Sequence, residues 1–143
     1  MLKKASIFML FVSLFPGTIL AKTRIMGSAR CTADKMQRYL LKNNPKIDRK
    51  YLCYTKYFLE EGAKEGVRGD LAFAQSLWET NFFRFGGDVH PSQNNFAGLG
   101  ATGNKEPGLF FKTPREGIRA QIQHLKAYAS KKNLKDAVRR RDT

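Results

Sequence analysis

The segment Leu71-Ala72-Phe73-Ala74-Gln75-Ser76-Leu77-Trp78-Glu79 constrains this chain more than any other. It has no helix breaker and is apolar on nearly every side of a helical wheel, so a helix here offers almost no face to water. Such a helix is stable only inside a layer of other elements. The spacing predicts a central, buried helix from near Leu71 to about Asn81, within 143 residues that make one domain.

The flanking sequence supplies the cover. Thr32 can cap a helix through Met36, Tyr39 and Leu40 that stops at Asn43-Asn44-Pro45. Asp48 can cap a second, with an apolar stripe of Tyr51, Thr55, Phe58, Leu59, Gly62 and Ala63. Between residues 82 and 112 helical periodicity gives way to glycine, asparagine, proline and scattered aromatics, with a turn at 100–103 and a candidate strand at 109–112. Thr113-Pro114-Arg115-Glu116 then fits a capping box with proline at the first helical position, followed by a stripe of Ile118, Ile122, Leu125 and Ala129. The expected fold is mostly α (α+β): a helical domain with a small irregular or β lobe inserted between two helices.

Lys and Arg number 26 against 12 acids, a net charge of +14 that draws the chain toward polyanions. Lys3 and Lys4, the apolar run 5–14, Pro16-Gly17 and Ala21 read as a signal peptide over residues 1–21, cleaved after Ala21. An uncleaved anchor is the other reading. Residues 22–130 form the expected domain, and 131–143 a basic tail. Export points to a secreted, extracytoplasmic protein associated with the cell wall. It also points to anionic wall polymers, not nucleic acid, as partners of the basic surface. A monomer is expected. Cys31 and Cys53 reach a compartment that permits a disulfide; two small buried hydrophobes are the alternative. With two His and two Cys in all, neither a metal site nor another cofactor is expected.

Three groups of residues could carry chemistry. Glu79 ends the apolar helix, where the helix dipole and apolar surroundings both favour the protonated carboxyl that a general acid needs; Gln75 lies one turn earlier on the same face. The run Asn94-Asn95-Phe96-Ala97-Gly98 combines amides that read sugar hydroxyls, an aromatic face for a pyranose ring and a glycine that admits close approach. Gln121, His124 and Tyr128 form a polar and aromatic stripe beside the apolar one on the last helix. Each has a plainer reading as a solvated helix end, a turn-rich lobe or a structural histidine.

Three stretches in order, EGVRGDLAFAQSLWETNFFRFGGDV, QNNFAGLGATG and TPREGIRAQIQHLKAYAS, resemble the bacterial glucosaminidase family, whose fold is lysozyme-like. The resemblance runs from about Gly27 to Ser130. It implies an endo-β-N-acetylglucosaminidase that cuts the β-1,4 bond after N-acetylglucosamine in peptidoglycan strands, with Glu79 as the general acid. Asn94, Asn95, Phe96 and Gly98 would bind glycan, and Gln75, Gln121, His124 and Tyr128 would line the cleft. Glycosidases commonly pair the acid with a second carboxylate; Asp88, inside the matched motif, ranks above Glu106, and assistance by the substrate's acetamido group is a third route. Relatives continue past the last motif into helical sequence that KKNLKDAVRRRDT does not resemble, so a C-terminally short, inactive module that binds wall glycan or anionic polymers is an alternative. A wall amidase is another.

Overall fold

The Thr32 hydroxyl accepts the amide of Lys35 and opens the first helix, α1 (Ala33–Asn43), in a computed structural model that describes residues 24–87, 89–102 and 108–132. α2 (Lys50–Glu65), α3 (Gly69–Glu79) and α4 (Pro114–Ala129) follow, with a 3-10 turn at Pro91–Gln93. The protein is mostly helical, and the described residues among 80–113 form the irregular lobe between α3 and α4. The segment read as a signal peptide and most of the residues read as a basic tail lie outside the described residues.

α3 folds back on α2 through a reversal that two glycines make possible. Gly66 ends α2 at φ 69°, and the Val67 amide donates to the Gly62 carbonyl at 2.9 Å. A Cβ on Gly69 would stand 2.1 Å from the Phe58 carbonyl oxygen, so the start of α3 lies directly on α2. The rings of Phe58 and Phe73 then meet edge to face at 5.5 Å, and the two helices run in opposite directions. The segment 25–30 crosses the same corner: Met26 bridges Val67, and the Arg30 amide donates to Asp70, itself paired with Arg68 at 2.8 Å.

α4 lies along α2 in the same direction. Ile118 and Ile122 are fully buried, while polar side chains bind the seam. Glu61, on α2, takes Arg115, Arg119 and Lys64; one helical turn on, Glu65 takes Lys126 at 2.6 Å and Gln123 at 2.9 Å. Burial alone would raise the Glu61 pKa, but the hydrogen bonds from the two arginines and the lysine outweigh it and hold it down to about 2.

Several expectations change in detail. Arg49 takes the cap position of α2, and the Asp48 carboxylate serves the next amide, that of Lys50, at 3.0 Å. Ala63 and Ala129 lie at the ends of their apolar stripes and are exposed. α3 begins two residues earlier than expected and stops at Glu79; Ala74 and Trp78, taken as buried, are exposed because, among the described residues, α2 and α4 cover α3 and leave the opposite side open. Residues 109–112 are extended without forming a strand; the Leu109 and Phe111 amides instead donate to the loop carbonyls of Leu99 and Gln93 at 2.8 and 2.9 Å. Cys31 and Cys53 are unpaired, the first half-buried and the second exposed on α2, so neither the disulfide nor the buried pair is formed.

Candidate active site

Glu79 is the last residue of α3, and the chain leaves it through an uncommon turn. Asn81, Phe82 and Phe83 all have positive φ (50°, 56° and 57°), and Phe85 joins them at 59°. Left-handed backbone costs a residue with a Cβ about 1–2 kcal/mol, so three in succession require compensation. The aromatic rings supply it. Phe83 is buried, stacks on Tyr51 of α2 at 5.0 Å and meets Phe73 of α3 at 6.2 Å. Phe82 lies 6.2 Å from Tyr39 of α1, and the Phe82 amide closes on the Leu77 carbonyl at 2.7 Å.

At the helix end Glu79 is itself open to solvent, yet protein crowding around its carboxyl pushes the pKa above the ordinary value. Trp78 stands beside it in sequence, 73% exposed, an unusual position for so large an apolar surface. A carboxyl that holds its proton more firmly than an ordinary glutamate and a solvent-facing indole suit protonation of a leaving group on a ring that can stack.

The lobe is joined to this turn by Phe96, almost fully buried, whose ring meets Phe83 edge-on at 5.8 Å and Tyr54 at 5.6 Å. Its neighbours are held by the lobe's own backbone. The Asn95 amide donates to the Leu99 and Leu109 carbonyls, and its oxygen accepts the Leu99 amide. The Asn94 amide donates to the Phe111 carbonyl at 2.9 Å. Asn95 and Phe96 thus shape the lobe from within; Asn94, half-buried, and Gly98, with open space where a Cβ would project, remain nearer its surface. A Cβ on Gly117 would fall 1.7 Å from the Asn94 carbonyl oxygen, so the first turn of α4 is the seat on which the lobe rests.

Gln121 is buried and donates to the Ala72 carbonyl and to Gln75, tying α4 to α3 one turn before Glu79. Its side-chain oxygen is buried with no hydrogen-bond partner among the described residues. Since α4 is parallel to α2 and α2 antiparallel to α3, α4 runs away from Glu79. His124 and Tyr128, an exposed edge-to-face pair at 4.9 Å, follow Gln121 in that direction, Tyr128 by roughly 10 Å of helix. The fold brings Gln75 and Gln121 together but carries His124 and Tyr128 toward the other end of α3. Asp88 and Glu106 lie outside the described residues. Sequence reasoning missed Thr80, Asn44 and the phenylalanines of the turn, because a left-handed run of bulky residues has no periodic signature.

A protein-family model described as mannosyl-glycoprotein endo-beta-N-acetylglucosaminidase matches residues 55–142, from the middle of α2 through Glu79, the lobe and α4. The chain belongs to the glucosaminidase family. The family domain is that of a glycosidase, and the match takes in residues 131–142 as well. An uncharacterized protein of Borreliella burgdorferi is 41% identical to this glucosaminidase-family chain over 112 residues, 78% of the chain and 55% of the relative. The chain therefore spans about half the length of the curated relative it matches. No solved structure matches it.

Proposed function

We propose that this glucosaminidase-family protein is an exported, wall-associated hydrolase that cuts the β-1,4 bond on the reducing side of N-acetylglucosamine in peptidoglycan. The observation that carries the reading is the placement of Glu79, whose carboxyl is crowded and shifted toward its protonated form, at a fixed helix end next to the exposed Trp78 in sequence. Glu79 gives its proton to the glycosidic oxygen as the C1–O bond breaks. Water then adds its oxygen to C1 and releases a proton that restores the Glu79 carboxyl, so one water is consumed for each bond cut. Asp88 is the first candidate to orient that water or the acetamido group. Gln75, Asn94 and Gly98 supply polar and backbone contacts to the glycan, and the buried Gln121 holds Gln75 from behind. The positive charge of the chain favours capture of an anionic wall over a neutral one.

The test is mass spectrometry of soluble fragments released from purified peptidoglycan, by the wild type and by Glu79→Gln. The expected result is fragments with N-acetylglucosamine at the new reducing end, lost in the variant. No release by the folded wild type would leave a glycan-binding module instead, and cleavage without a new reducing end would indicate an amidase.

A further inference from the structure

The last turn of a helix frays because its carbonyls have no intrahelical donors, and a general acid placed there is only as fixed as that turn. Here every carbonyl from Ser76 to Trp78 has a donor. Ser76 takes both the amide and the hydroxyl of Thr80, at 3.0 and 2.7 Å; Leu77 takes the Phe82 amide; Trp78 takes that of Asn81. The Thr80 hydroxyl, buried, also accepts the Phe83 amide at 2.9 Å, so one oxygen closes both the helix end and the turn beyond it. From α1, the buried Asn44 amide donates to the Phe82 carbonyl at 2.8 Å, and Arg84 reaches back to the Asn43 carbonyl at 2.6 Å. The Glu79 carboxyl has no hydrogen bond or ion pair among the described residues. Its position is set by the backbone that carries it.

We infer that Thr80 and Asn44 are positioning residues for Glu79: by clamping the left-handed turn from α3 and from α1, they hold the carboxyl where it meets the leaving-group oxygen. The inference rests on the reading of Glu79 as the general acid. Neither residue touches substrate. Each acts through the turn, and a displacement of about 1 Å at a reacting group can cost about a hundredfold in rate.

The experiment compares Thr80→Val, Thr80→Ser and Asn44→Leu with the wild type. Circular dichroism and thermal melts determine the folded fraction, kcat and KM are measured on soluble glycan, and the Glu79 carboxyl is titrated by NMR in glutamate-labelled protein. Thr80→Val keeps the shape but loses both hydrogen bonds. It should lower kcat by about tenfold to a hundredfold with KM within about twofold, and Glu79 should titrate closer to its ordinary value as the crowding relaxes. Asn44→Leu should do the same, and Thr80→Ser should recover most of the loss. Variants that melt earlier but match the wild type in kcat per folded molecule and in the Glu79 titration would overturn the inference, as would a Thr80→Ser no better than Thr80→Val. Should Glu79→Gln prove fully active, the general-acid reading fails, while the Glu79 titration still decides whether Thr80 and Asn44 position the carboxyl.

Discussion

The ring of Tyr51, in the first turn of α2, lies flat on that of Phe83, with centroids 5.0 Å apart and planes within 7°. Phe83 has a left-handed backbone four residues after Glu79, so this stack ties a strained turn at the candidate acid to the core. Phe83→Ala should cost about 3–5 kcal/mol in chemical denaturation. At the exposed Asn81, Gly should be tolerated, whereas Val should cost about 1–2 kcal/mol because a β-branched side chain resists positive φ. Equal effects of Gly and Val would mean the turn is not left-handed in solution.

Replacing Glu79 by Gln should reduce hydrolysis by about a hundredfold or more without unfolding the protein. Stability should separate the two proteins in a defined way. Because burial raises the folded-state pKa above the ordinary 4.5, the contribution of this carboxyl is fully present below about pH 4.5 and is lost as pH rises through the raised value. Denaturation midpoints should thus agree in acid, with the variant gaining relative to wild type toward neutrality.

Glu61 should behave in the opposite sense. Its carboxyl is held down to about 2, so the stability it contributes is present above its ordinary value of 4.5 and is lost as pH falls from there toward 2. Glu61→Gln should cost about 2–3 kcal/mol at pH 7, below the loss typical of fully buried pairs because Arg115 and Arg119 are partly solvated. It should also flatten the acid limb of a stability–pH curve measured by urea unfolding.

Gly117→Ala tests the seat of the lobe. The added methyl would collide with the Asn94 carbonyl, a conflict of about 1–3 kcal/mol that the structure relieves by moving the lobe. Hydrogen exchange should speed up at the amides of Leu99 and Phe111, whose bonds to the Asn95 side chain and the Gln93 carbonyl hold the lobe, and remain slow in α2.

Trp78 is the single tryptophan and is largely exposed beside Glu79, so intrinsic fluorescence reports on the candidate cleft alone. Titration with N-acetylglucosamine oligosaccharides should shift the emission to the blue as a sugar ring covers the indole. Trp78→Ala should weaken binding by roughly tenfold while leaving the melting temperature nearly unchanged. An unaltered spectrum at saturating oligosaccharide would place the binding site elsewhere.

The sequence by itself determined the helices and the place of the acid. Caps at Thr32 and Thr113 act through their own next turn, and apolar spacing marks Phe58, Ile118 and Ile122 as core, so both are local and legible in one dimension. What only the tertiary structure decided depends on partners far along the chain. Trp78 is exposed because no described element covers that side of α3, and Asn95 and Phe96 serve the lobe because its carbonyls and the Tyr54 and Phe83 rings already surround them. His124 and Tyr128 are turned away from Glu79 by the direction of α4, which the ion pairs to Glu61 and Glu65 record. The turn after Glu79 is the clearest case. Its left-handed phenylalanines violate local preference, and partners distant in sequence, among them Tyr51 from α2 and Asn44 at the end of α1, make that conformation the stable one.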